Sequence, residues 1–168
     1  MKENIDPRFF EEIMELKDRK YSIKIWHPSH FQTMHINEFT QNCFDVEPNY
    51  LHYLQSNVKH GIALSGFVED QCYAMWGMIP LHAGVAEGWL IPSKYITKHK
   101  YTFHRATKNF LVYMMAHWKL HRLQGIVNSK NIAAIKWAEV LSYKKEGVLK
   151  RYGVDKTDFI MYSRTYKD

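Results

Sequence analysis

The stretch Ile126–Gly147, IVNSKNIAAIKWAEVLSYKKEG, decides the fold. Ile126 and Val127 close a short apolar run. Ser129 or Asn131 is then placed to cap a helix, its side-chain oxygen accepting a hydrogen bond from an unpaired amide of the first turn. Ile132, Ile135, Ala138 or Glu139, and Ser142 or Tyr143 follow at spacings of three and four, so one face turns inward while Lys136 and Glu139 reach water. A strand leading directly into a core-packed amphipathic helix is what this stretch defines.

The flanking elements give that unit a setting. Pro7–Arg19 carries Phe9, Phe10, Ile13 and Leu16 at helical spacing behind a proline suited to a first turn, which predicts an N-terminal helix. Tyr21, Ile23 and Ile25 alternate with Ser22 and Lys24, the pattern of a half-buried strand. Phe31–Phe44 and Tyr50–Val58 read as helical segments parted at Glu47-Pro48, because proline disfavours helix in the residue before it. Ile62–Val68 and Cys72–Ile79 read as a hairpin about the polar Glu69-Asp70-Gln71 turn, and Val85–Ile91 as a strand ended by Pro92. Tyr101–Trp118 is a long helix with Phe103, Phe110, Met114 and Trp118 on one side. Leu123–Val127, Lys145–Tyr152 and Asp158–Thr165 complete the strands.

Strand, two helices, three strands, helix, strand, helix, two strands is an order that resembles the GNAT (Gcn5-related N-acetyltransferase) superfamily, over about residues 21–166. The resemblance implies an α/β fold of the acyl-CoA N-acyltransferase type, a mixed, mostly antiparallel sheet of about seven strands with helices on both faces. Residues 1–168 are then one domain, with 1–20 as an N-terminal helical extension. In that family the segment after the fifth strand commonly reads Asn, two residues, Ala, a Tyr four further on, and then Gly-Phe. Asn131 and Ala134 match by position, Ala138 stands where the tyrosine falls, and Ser142-Tyr143 occupies the place of Gly-Phe. The family tyrosine often protonates the departing thiolate, so its replacement moves that role elsewhere, with Tyr143 as the candidate and Tyr152 and Tyr162 behind it.

A second family hallmark follows the fourth strand, where glycines let backbone amides approach the cofactor pyrophosphate at a helix N-terminus. Here Ile91–Phe110, IPSKYITKHKYTFHRATKNF, contains no glycine. Lys94, Lys98, Lys100, Arg105 and Lys108, with His99 and His104, offer full charges instead; the alternative is the solvated basic face of a surface helix. The resemblance implies acetyl-CoA as cosubstrate, held by Leu90, Ile91 and Asn131 and by Lys98, His99 and Lys100. It also implies an amine acceptor. Glu87, just upstream in VAEGWLIP, is the candidate base, and Gly88 marks a bulge or a close backbone approach.

Composition bounds these readings. With 168 residues, 46% hydrophobic and 15% aromatic, the chain has material for one bulky core. Its net charge of +6 and pI near 9.2 favour phosphates, nucleic acid or acidic protein surfaces as contacts. Cys43 and Cys72 lack metal-ligand spacing and read as reduced core thiols of a cytoplasmic protein. No apolar run reaches the roughly 18 residues of a membrane span, and MKENIDPRFFEEIMELKD lacks a signal-peptide core, so a soluble protein is expected. His117 and His121 share a helix face and His27 and His30 flank Pro28-Ser29, but neither pair shows a third ligand, and no metal is expected.

Two further readings stay open. Lys94–Lys108 interleaves Tyr95, Tyr101 and Phe103 with cations, a mixture that can stack bases and neutralise phosphates, although the same aromatics are needed to seat the long helix. The glycine-free loop, the aromatic content and the hairpin EDQCYAMW (Glu69–Trp76) also resemble small GNAT-fold proteins of tailed bacteriophages. That narrower resemblance implies a non-catalytic virion or host-interaction protein, located in the virion or the host cytoplasm.

Overall fold

In the computed structural model, which describes residues 6–166, all seven strands join one sheet, and consecutive buried residues in β2 and β3 show its middle covered on both faces. The strands are β1 (Tyr21–Ile25), β2 (Ile62–Val68), β3 (Gln71–His82), β4 (Val85–Pro92), β5 (Arg122–Asn128), β6 (Lys144–Leu149) and β7 (Phe159–Thr165). Their order is β1-β2-β3-β4-β5-β7-β6, and every neighbouring pair is antiparallel except β4 and β5. The helices are α1 (Pro7–Ile13), α2 (Glu38–Val46), α3 (Tyr50–Val58), α4 (Lys100–His117) and α5 (Ile132–Val140). The mixed, mostly antiparallel sheet expected from the element order is the one observed.

Each face of the sheet has its own core. On one, Phe10 of α1 and Phe110 and Met114 of α4 pack with Ile23, Leu64, Met78, Ala86 and Leu123. On the other, Trp26, Met34 and Leu54 pack with Phe67, Met75 and Ile91. Ala138 of α5 covers Ile160 and Tyr162 of β7. Among the described residues no helix is long and apolar enough to cross a membrane.

Boundaries move where a local side chain or a left-handed residue overrides periodicity. The N-terminal helix expected to reach Arg19 stops at Ile13, because Glu15 takes φ 55 and turns the chain toward β1. The helix expected over Phe31–Phe44 is two pieces: a 3-10 turn at Pro28–Thr33, and α2, capped by Asn37, whose side chain accepts from the Thr40 amide at 3.0 Å. Between them Met34 is extended and Ile36 bridges Ser93. The strand expected to reach Tyr152 ends at Leu149, and Arg151 turns at φ 55 while its amide donates to Asp158. The β2–β3 turn has no glycine, and Glu69 itself supplies the positive φ.

Phe110 is the packing centre of the larger core, set edge-on to Trp76 at 6.0 Å and tilted against Phe10 at 5.8 Å. Replacing it with alanine opens a cavity between α4 and the sheet, and urea denaturation of Phe110→Ala is expected to show a loss of about 3–5 kcal/mol.

Candidate active site

The parallel pair β4–β5 is short. Val85 pairs with Arg122, Ala86 with Leu123 and Glu87 with Gln124, and there the pairing stops. Beyond it β4 continues on β3 as far as Pro92, and β5 continues on β7 as far as Asn128. The facing edges of 88–92 and 125–128 therefore diverge as a fork whose backbone groups have no strand partner across the gap. Gly88 and Gly125 stand where it opens: a Cβ on Gly125 would come within 3.1 Å of the Gly88 carbonyl oxygen. Gly88 itself marks neither a bulge nor a close approach: it pairs in register with Met78, and a Cβ there would meet nothing nearer than Leu123 at 3.7 Å.

The fork opens into a cleft of about 300 Å³ that passes between the two strands. One half lies under α4 and α5 and is walled by Trp76, Phe110, Ala134 and Trp137. The other lies toward α2 and α3, with Phe39, Cys43, Tyr50, Trp89, Ile126 and Phe159. Trp89 covers Gly77, where a Cβ would meet its ring at 2.7 Å. The indole N–H groups of Trp76, Trp89 and Trp137 have no hydrogen-bond partner, so three donors stand unpaired around one cleft. A buried donor without an acceptor costs about 1–3 kcal/mol, and these three indole nitrogens are themselves closed off from the cleft.

Of the residues singled out in the sequence, Leu90, Ile91, Asn131 and Tyr143 line this cleft. Asn131, rather than Ser129, caps α5, its Oδ1 accepting from the Ala134 amide at 3.0 Å. Tyr143 follows Ser142, whose φ of 67 ends the helix. Burial pushes the Tyr143 hydroxyl pKa well above its usual value, against a smaller pull from Arg164, so it stays protonated.

Lys98, His99 and Lys100 stand elsewhere, at the start of α4, whose first cleft-lining residue is Thr107. Seven residues at 1.5 Å each put Lys100 about 10 Å back along the helix axis. His99 turns inward, its Nδ1 3.0 Å from the Tyr21 hydroxyl and its ring edge-on to Tyr73. Burial, then Lys20 and Lys98, hold its pKa below the usual histidine range. Lys98 lies over Tyr95 and Lys100 over Tyr101, which is 81% exposed. Arg105 pairs with Glu15 at 3.8 Å.

Glu87 stands at the base of the fork within a chain of side chains across four strands. Gln124 Nε2 donates to Glu87 Oε2 at 3.3 Å, and Gln124 Oε1 accepts from Arg122 Nε at 3.1 Å. Because Arg122 can only donate, it fixes which end of the Gln124 amide faces Glu87. Arg122 holds Glu146 through both terminal nitrogens, at 2.9 and 2.5 Å, and Ser163 donates to Glu146 at 2.6 Å. Burial, then Tyr53 and Glu87, push the Tyr152 hydroxyl pKa up, which puts Glu87 on the α2–α3 side.

Sequence reading missed Trp89, Asn42 and Asp155. Asn42 Nδ2 donates to Asp155 Oδ2 at 2.9 Å, tying α2 to the β6–β7 connection. No local pattern announces a contact 113 residues apart in the chain. Trp89 follows Gly88 in VAEGWLIP, and that small-large step is the only signal it offered. Among the described residues no three His, Cys, Asp or Glu side chains gather closely enough to hold a metal ion.

Seven strands in this order, with the fork at β4–β5, form the GNAT acetyltransferase fold, and solved structures bear this out. The chain is similar to the ribosomal-protein-S5-alanine acetyltransferase of Vibrio fischeri, with a TM-score of 0.61 and 16% identity over 90% of this chain and 96% of that one. A GNAT-family acetyltransferase from Bacillus anthracis gives 0.64 and 15% over 87% and 95%. RimL, a ribosomal L7/L12 alpha-N-protein acetyltransferase, gives 0.65 and 12% over 89% and 92%. No protein-family model matches the sequence, and no curated protein matches it.

The Arg122–Glu146 pair has a pH signature. First Arg122 and then Ser163 hold the Glu146 carboxyl down to about 2. A depressed carboxylate stabilises the fold fully above its unfolded pKa near 4.5 and loses that contribution as pH falls toward about 2. Carboxyl NMR titration should place Glu146 near 2 and, in Arg122→Ala, move it toward 4.5, with a shallower acid-side loss of stability.

Proposed function

We propose that this protein is an N-acyltransferase that moves an acetyl group from acetyl-CoA to an amine. The observation that carries the reading is the fork: an extended pantetheine chain can pair with the open β4 edge at Leu90 and Ile91 as an added strand. Lys98 and Lys100, at the start of α4, supply the charge for its phosphates where the cosubstrate leaves the cleft; His99 is committed to Tyr21 and contributes by holding that turn.

The chemistry follows from the residues at hand. An ammonium with pKa near about 10 must lose its proton before it can attack, and Glu87 takes it directly or through a water. The amine nitrogen bonds to the thioester carbonyl carbon, the carbonyl re-forms, and the C–S bond breaks. The thiolate takes a proton from Tyr143, and the second proton shed by the new amide nitrogen returns to the Tyr143 phenolate through water, so that acid and nitrogen are both left neutral. Asn131 orients α5 by its cap and presents its remaining amide hydrogens to the cleft.

The alternative reading is a non-catalytic use of the same fold, as a virion or host-interaction protein. Phe103 of α4 stacks on Trp137 of α5 at 5.1 Å and 20°, joining the two helices that flank the cleft.

Thermal shift and calorimetry with acetyl-CoA decide between them. Saturable micromolar binding is expected, and Ala134→Trp, which fills the α4–α5 half, should abolish it while leaving the unliganded melting temperature close to wild type. No stabilisation at millimolar acetyl-CoA removes the acyltransferase reading. With an accepted amine, Glu87→Gln should lower kcat/KM by about 10²–10⁴ and flatten its rise with pH.

A further inference from the structure

We propose that the α2–α3 half of the cleft selects an ammonium borne on an apolar, ring-sized group, with Asp155 as the selecting carboxylate. The inference deepens the acyltransferase reading by naming its acceptor class, and it rests on that reading for the fate of the amine but not for its binding.

The cleft's charge is the opposite of the chain's. The protein carries a net +6, yet among the described residues no lysine or arginine lines the cleft, and Asp155 is the single carboxylate that does. An acceptor bearing a carboxylate or phosphate would find no cation there and would be repelled at the rim. The walls exclude strongly hydrated amines for a different reason. Phe39, Tyr50, Trp89, Ile126 and Phe159 present aromatic and aliphatic surface, which rewards an apolar body and gives a polyamine nothing to pair with.

Asp155 is built to receive a cation. Its Oδ1 accepts from both the amide and the hydroxyl of Thr157, which fixes the side chain and holds its pKa below the usual range. Its Oδ2 receives only the neutral amide of Asn42 at 2.9 Å, at an exposed position. The Asn42 bond is charge-assisted on the acceptor side alone; an ammonium brings a full opposite charge on the donor side as well and competes with Asn42 for the same oxygen. The Asn42–Asp155 contact is thus the resting occupant of an ammonium position. Glu87, at the base of the fork, is held by Gln124 outside the cleft lining, so Asp155 is the carboxylate an entering ammonium meets first.

The test is calorimetry on the intact protein with 2-phenylethylamine, its neutral counterpart 2-phenylethanol, and a tripeptide amide with an N-terminal phenylalanine. The amine is expected to bind wild type at least about tenfold tighter than the alcohol. Asp155→Asn should erase that preference and leave the alcohol unchanged, whereas Trp89→Ala should weaken both. Equal binding of amine and alcohol to wild type, or equal weakening of both by Asp155→Asn, overturns the proposal. Competition by the peptide amide supports it with a chain N-terminus as the source of the ammonium; binding of the amine alone supports it with a free amine. Amine binding without any response to acetyl-CoA retains this inference and removes the acyltransferase reading. Acetyl-CoA binding without amine binding does the reverse.

Discussion

Three rungs of parallel pairing, Val85–Arg122, Ala86–Leu123 and Glu87–Gln124, hold the two halves of the sheet together, and the cleft exists because there are no more. Each strand of the fork is satisfied on its outer edge, β4 by β3 and β5 by β7, so the divergence leaves only the inner edges open. Strand twist favours the separation, since β4 follows the coil of the antiparallel sheet on one side and β5 that of the β5–β7–β6 unit on the other. The junction is reinforced where it is weakest. The chain Glu87–Gln124–Arg122–Glu146–Ser163 ties the last strand before the fork to the far edge of the sheet. Catalytic candidate and structural tie are therefore one polar system.

The distribution of charge separates two tasks. Cations gather at the start of α4, outside the cleft, where Lys98 and Lys100 lie against tyrosine faces in water. The cleft itself is apolar, with one rim carboxylate. An anionic tail held outside and an uncharged reacting centre held inside fit that division, because ionic contacts in water recruit phosphates at little desolvation cost while a dry cleft strengthens the few polar contacts within it.

The sequence carried the fold because the fold is written in short-range patterns. Two-residue alternation marks β1, short apolar runs bounded by turns or proline mark β2 and β4, and the 3.6-residue stripe of Phe103, Phe110 and Met114 marks α4, within a residue or two of the observed ends. Helix boundaries failed where one side chain outweighed periodicity, as when Asn37 capped α2 and Glu15 adopted a positive φ. The cleft was legible on its strand and α5 walls, through Leu90, Ile91 and Asn131, because those positions follow from element order. Its α2 and β6–β7 walls were not. Asn42 meets Asp155 only after the whole sheet is assembled, and nothing local at either residue encodes the other.

Ala138 changes its meaning in three dimensions. Its side chain is 8% exposed and packs with Ile160, Tyr162 and Tyr143 in one small cluster beneath α5. A tyrosine at 138 would have to enter space that these two phenols already fill. The ring is therefore supplied from neighbouring elements, Tyr143 from the segment after the helix and Tyr162 from β7, and both line the cleft. Tyr162 is engaged with Glu139 at 3.4 Å, whereas the structure gives the Tyr143 hydroxyl burial and the nearby Arg164. A small residue at 138 thus leaves the space beneath α5 to Tyr143 and Tyr162, whose rings line the cleft from the neighbouring segment and strand.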